Sequence, residues 1–145
     1  MAEVVIAIDG PAGSGKSSVS KAAARELGFG YLDTGAGYRA FAIHKSNFPG
    51  LELDRLIGSF DYSISIDPDS ELVMLAGVDV TAEIRTAAVS EAVSAVAKEQ
   101  LVRNLQLQDA RKRITNCQSQ GIIVEGRDIT TVVAPEAILK VLLTA

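Results

Sequence analysis

Apolar and polar positions change rhythm several times along the chain. Val4-Val5-Ile6-Ala7-Ile8 is an unbroken, mainly β-branched run, the pattern of a strand buried on both faces. From Lys16 the apolar positions Val19, Ala22, Ala23 and Leu27 recur at helical spacing, and Gly28 stands where a left-handed C-terminal cap would sit. Phe29 to Leu32 predicts a short strand, with Asp33-Thr34-Gly35 as its exit loop. A second helix is expected from about Ala36, broken by Asn47-Phe48-Pro49-Gly50, and Leu51 to Ile57 predicts a short helix ending at Gly58. This order of strand, helix, strand and helix implies parallel strands.

The middle of the chain has a period of two. Tyr62, Ile64 and Ile66 alternate with polar residues, Asp67-Pro68-Asp69-Ser70 forms a turn, and Leu72, Met74 and Ala76 alternate again, which predicts an antiparallel hairpin. Thr86 to Lys98 and Leu101 to Asn116 are helical patterns, the second with Arg103, Arg111, Lys112 and Arg113 on polar positions that are expected to be mostly solvated. Ile122-Ile123-Val124 and Leu139 to Leu143 predict two further buried strands. With no repeat, low-complexity tract or long linker, residues 1–145 are expected to form a single domain, with an inserted hairpin and helix lobe at approximately 59–100.

Composition narrows the setting. The chain has 145 residues, 48% of them hydrophobic, enough for a real core. A single cysteine, Cys117, excludes an intrachain disulfide and suits a reducing compartment, so the expected location is the cytoplasm. No segment has the apolar length of a membrane span, and the N-terminus lacks the basic start of a secretory signal. A net charge of -4 argues against a broad nucleic-acid surface, so an anionic ligand would have to be held locally.

The local site is Gly10-Pro11-Ala12-Gly13-Ser14-Gly15-Lys16-Ser17, a complete P-loop pattern between a predicted strand and a predicted helix. Glycines let successive N–H groups face a β-phosphate, the helix start adds positive potential, and Lys16 neutralises charge toward the γ-phosphate. Ser17 would hold Mg²⁺ through its hydroxyl, and Ser18 extends the nucleotide site. The fold class is therefore α/β, a P-loop NTPase-type parallel sheet with flanking helices. Phosphoryl transfer depends on alignment and charge neutralisation, so an acceptor phosphate should meet arginines. Arg39 and Arg127 follow the exits of two predicted parallel strands, where sheets of this class bind ligands.

Four segments carry a resemblance to bacterial cytidylate kinases that runs from Val5 to the last residue: Ile8 to Ser17, Leu32 to Arg39 (L-D-T-G-A-G-Y-R), Glu83 to Thr86 (E-I-R-T) and Val124 to Ile129 (V-E-G-R-D-I). The resemblance implies an enzyme that moves the γ-phosphate of ATP, with Mg²⁺, onto CMP or dCMP, and makes the hairpin lobe the nucleoside monophosphate-binding insert. It assigns Lys16, Arg39 and Arg127 to catalysis, with both arginines on the CMP phosphate. Thr34 and Tyr38 would line the nucleoside pocket, while Ser94, Arg103 and Asp128 would recognise cytosine. Glu125 and Asp33 compete as the acid that organises the metal's water, and Asp9 is expected to position the P-loop backbone or Lys16. His44 is expected to be an exposed helix residue and Cys117 inert.

Two positions depart from the family pattern. Gly37 stands where a larger apolar residue is usual, which is expected to loosen the start of the helix that carries Tyr38 and Arg39. Thr130 replaces a usual glycine, which matters if that position needs positive φ. The family also continues into an arginine-bearing lid, whose absence implies a fragment with little transfer of its own, acting as a monomer on small molecules. A non-catalytic nucleotide-binding fragment is the alternative from another class. Another P-loop kinase for a small acceptor, such as an adenylate or shikimate kinase relative, is the second enzyme reading.

Overall fold

A computed structural model describes residues 4–11 and 14–144. Four parallel strands form the main sheet: β1 (Val4–Asp9), β2 (Gly30–Asp33), β6 (Gly121–Gly126) and β7 (Leu139–Leu142), in the order β2-β6-β1-β7. The runs Val4 to Ile8 and Ile122 to Val124 become its inner strands, flanked on both edges, and Ile122, Ile123 and Val124 are fully buried; the run Leu139 to Leu143, expected to be buried, instead forms the edge strand β7 and leaves Leu139 and Leu142 exposed. Helix α1 (Lys16–Leu27) follows β1 and ends on Gly28, whose φ of 68° lets its N–H reach back to the carbonyls of Ala24 and Arg25. Helix α2 (Thr34–Asn47) starts directly after β2, so the expected exit loop is absent and Thr34 is already helical.

Between α2 and β6 come α3 (Leu53–Gly58), β3 (Tyr62–Ile64), β4 (Val73–Leu75), β5 (Val78–Asp79), a 3-10 turn (Glu83–Arg85), α4 (Ala87–Ala97) and α5 (Gln100–Thr115). Thr86 caps α4 by accepting from the Val89 N–H. The antiparallel pairing sets Tyr62 opposite Leu75 and Ile64 opposite Val73. Val73 and Leu75 therefore face the core, while Leu72 is exposed. The expected alternation on this strand is thus out of phase by one residue: Leu72 to Ala76 is apolar throughout, so period alone could not choose the face. A third strand, β5, adds to β4 beyond the turn at Ala76-Gly77, both of which take positive φ.

The chain divides into two compact units. The first holds Met1–Thr34, Ile66–Ser70 and Leu107–Ala145; the second holds Gly35–Ser65 and Glu71–Gln106. The second unit takes in residues on both sides of the stretch 59–100 but not Ile66–Ser70, and α2 supplies Ala36, Ala40, Phe41 and Ile43 to the same core as Leu56, Val73, Ile84 and Val102. His44 belongs to that core rather than to the surface. Its ring is buried, its Nε2 donates to the Leu56 carbonyl at 3.0 Å, and it lies edge-on to Phe41 and Phe48. Turning inward satisfies one ring nitrogen and removes an aromatic face from water, which explains the departure from the expected exposure.

Candidate nucleotide site

The P-loop leaves the end of β1 and enters α1. At Gly10 a Cβ would stand 2.7 Å from Ser14 Oγ and 3.0 Å from the Leu143 carbonyl, so only glycine fits the close approach. Gly15 has φ 82°, a left-handed conformation immediately before the first helical residue. The N-cap residue of α1 is Gly15, which has no side chain to occupy the first N–H groups, so these can receive an anion. Lys16 Nζ donates to the Pro11 carbonyl at 3.3 Å, folding back over the loop. Ser18 is exposed on the first turn, and Ala12 and Gly13 lie outside the described residues.

Glu125 ends the buried run of β6 beside β1. Its Oε1 accepts from Ser17 Oγ and from Tyr31 Oη, each at 2.7 Å, while its Oε2 is buried with no hydrogen-bond partner. The parallel register sets Asp33 directly opposite Glu125, and Asp33 is itself buried. Burial, and then the Asp33 carboxylate, push the Glu125 carboxyl above its ordinary range, and the bonds from Tyr31 and Ser17 oppose that shift. The Tyr31 phenol is held far above its usual value by burial and by the same two carboxylates. Lys21 Nζ lies 5.7 Å from the centre of the Tyr31 ring. Tyr31 was not singled out from the sequence; a tyrosine inside the predicted strand Phe29 to Leu32 was the only signal there, and its burial, which requires its hydroxyl to find a partner, is shown by the structure.

The segment after β6 is fixed by Asp9. Its Oδ1 accepts from the Ile129 N–H at 2.6 Å, and its Oδ2 accepts from the Thr130 N–H at 3.1 Å and the Thr130 hydroxyl at 2.6 Å. Asp9 therefore caps the π-helical turn Ile129–Val133, and Lys16 bonds to Pro11. Asp128, not Thr130, takes the left-handed conformation, with φ 59°, which aspartate tolerates better than most residues. Thr130 thus needs no glycine geometry and adds a hydroxyl contact. Arg127 and Asp128 are exposed on this turn, and Thr34 Oγ1 donates to the Glu125 carbonyl at 3.0 Å. Arg111 is not simply solvated, since it donates to the Val132 and Val133 carbonyls at 2.8 and 3.3 Å.

Of the predicted site residues, the first unit brings together the described P-loop residues with Thr34, Arg127 and Asp128 around the ends of β1, β2 and β6. Tyr38, Arg39, Ser94 and Arg103 belong to the second unit. Tyr38 and Arg39 are half-buried on α2, Ser94 is exposed on α4, and Arg103 is exposed on α5. Gly37 lies inside α2, and its carbonyl accepts from Gln106 Nε2 at 3.0 Å. Gln106 is a buried amide whose importance the sequence did not flag.

The family model described as Cytidylate kinase matches residues 6–145. The chain is 48% identical over 149 residues to the cytidylate kinase of Rhodococcus opacus (strain B4), covering 98% of this chain and 63% of that protein. It is 44% identical over 147 residues to the cytidylate kinase of Mycobacterium leprae (strain Br4923), covering 100% and 65%. A third relative, the cytidylate kinase of Pelotomaculum thermopropionicum, is 46% identical over 150 residues, covering 97% and 63%. The chain spans a little under two thirds of the length of these relatives. A match over nearly all its residues, with the P-loop bonded to the acid of the neighbouring strand, makes the chain a member of the cytidylate kinase family.

Proposed function

We propose that the chain carries the nucleotide sites of a cytidylate kinase, which breaks the bond between the γ-phosphorus of ATP and the bridging oxygen of ADP and forms one to a phosphate oxygen of CMP or dCMP. The observation that carries this reading is the family match over residues 6–145. The P-loop backbone and the α1 N-terminus receive the donor phosphates, and Lys16, released from Pro11, neutralises the transferring group. Arg39 and Arg127 hold the acceptor phosphate, since a planar guanidinium matches phosphate oxygens in pairs. Thr34 and Tyr38 line the nucleoside, and Ser94, Arg103 and Asp128 distinguish cytosine from uracil: a carboxylate that accepts from the exocyclic amine faces a repelling carbonyl in uracil. On the same reading the second unit is the acceptor-binding lobe.

The donor set fits Mg²⁺. Ser17 Oγ and the bare, buried Oε2 of Glu125 are hard oxygen ligands, and Asp33 adds a neighbouring carboxylate. Among the described residues no group of three His, Cys, Asp or Glu could cage a metal, which suits an ion held by one or two protein oxygens, phosphates and water. When bound, Mg²⁺ would draw charge from the phosphate oxygens. No helix among the described residues is long and apolar enough to cross a membrane, and the reading takes the chain as a cytoplasmic monomer without nucleic-acid partners.

The test is to incubate the chain with Mg-ATP and CMP, dCMP, UMP or AMP, separate the products, and measure binding of each nucleotide by calorimetry. CDP and dCDP formation, or selective binding of CMP and dCMP with ATP, supports the reading. Preference for AMP or UMP refutes it, and binding of both nucleotides without product shifts it to a nucleotide-binding chain that does no transfer.

A further inference from the structure

Gln106 and Gly37 are 69 positions apart and occupy one another's space. A Cβ built on Gly37 would land on Gln106 Oε1 and 3.0 Å from its Cδ, so the carboxamide fills the volume that any other residue at position 37 would claim. Gln106 is 6% exposed, unusual for a glutamine, and its Nε2 donates to the Gly37 carbonyl. That carbonyl lies inside α2, where the oxygen's second lone pair can accept a bond besides the helical one. The same glycine is the seat of a link between two helices.

The neighbours give the link its meaning. Tyr38 and Arg39 directly follow Gly37 on α2, and Arg103 precedes Gln106 by three residues, on the same face of α5. We propose that Gln106 is a positioning residue for the acceptor nucleotide: seated against Gly37, its carboxamide fixes the turn of α5 that carries Arg103 relative to the turn of α2 that carries Tyr38 and Arg39. The inference rests on the acceptor reading given above and goes beyond it by making base discrimination depend on a residue that touches neither base nor phosphate. A carboxamide suits the task because its planar end offers a directed donor, whereas an apolar side chain would fill the space without fixing rotation.

The test measures CMP, UMP and ATP affinities by calorimetry for the wild-type chain, Gln106→Glu, Gly37→Ala and the double variant. Gln106→Glu keeps the shape and loses the donor; Gly37→Ala displaces the carboxamide. Each single variant is expected to lower the ratio of CMP to UMP affinity roughly three- to tenfold, the worth of about one hydrogen bond. ATP affinity should stay within about twofold, and the double variant should be no worse than either single one, because the link is lost only once. An unchanged ratio in Gln106→Glu, beside a wild type that prefers CMP, overturns the inference and leaves the acceptor reading standing. A parallel loss of ATP affinity also overturns it, since it marks general unfolding. A wild type that binds ATP without preferring CMP overturns the acceptor reading, and the inference with it.

Discussion

Replacing Asp9 by asparagine tests the capping of the turn after β6. Three donors converge on the carboxylate, at 2.6, 3.1 and 2.6 Å. Hydrogen bonds to a charged group contribute about 1.5–3 kcal/mol each, and partial exposure of Asp9 favours the lower end. Asparagine keeps one oxygen for the Ile129 N–H and turns an NH2 group toward the Thr130 N–H, while the Thr130 hydroxyl can rotate to accept. One backbone bond is lost and the charge assistance of the others disappears, for a cost of about 2 kcal/mol. In a chain of this size that lowers Tm by roughly 6 °C, measurable by circular dichroism with urea titration to obtain the free energy. Thr130→Val should cost about 1 kcal/mol alone and distinctly less in the Asp9→Asn background, because the two share one contact. A loss below about 0.5 kcal/mol for Asp9→Asn, or strict additivity with Thr130→Val, would refute the reasoning.

Glu125→Gln should raise stability in a pH-dependent way. The folded-state value is raised, so the folded chain keeps a proton that the unfolded chain releases, and wild-type stability falls as pH climbs from the ordinary carboxylate range through the raised value. The glutamine variant escapes that fall, and thermal melts should show its advantage absent in acid and growing with pH; a constant difference would contradict the assigned cause. Gly126→Ala should destabilise by about 3 kcal/mol in urea titration, because a Cβ at φ 155° lands on Thr34 Oγ1 and forces it off the Glu125 carbonyl. His44→Leu should cost about 1–2 kcal/mol, because the Leu56 carbonyl is left with the long 3.4 Å bond from Ser59 Oγ, and a neutral result in the same titration would show that the His44 bond adds nothing to that one.

The sheet and the phosphate loop were legible because their signals are local. A continuous β-branched run has one reading when glycines and a helical pattern follow, and Gly28 marks the C-terminal cap of α1 because glycine takes positive φ without the cost other residues bear. The register of β4 was not legible, since five successive apolar residues leave both phases open and the choice falls to Ile64 and Tyr62 across the ladder. His44 and Gln106 were missed for a common reason: each donates to a carbonyl distant in sequence that draws it into the core, and neither Leu56 nor Gly37 advertises that in sequence. Asp9 shows the limit most clearly. Its place before the P-loop suggested the loop or Lys16, yet its partners lie about 120 residues away, brought near by the parallel register of β1 and β6.

The burial of His44 also gives the protein an internal spectroscopic label. It is the only histidine of the chain, so one pair of imidazole resonances in a nitrogen-15 spectrum belongs to the second unit without any assignment work. The bond to Leu56 places a proton on Nε2, so the Nε2–H signal reports directly on the contact between α2 and α3. Following that signal through a denaturant series, beside the Tyr31 ring resonances from the first unit, would show whether the two units lose their structure together or in sequence.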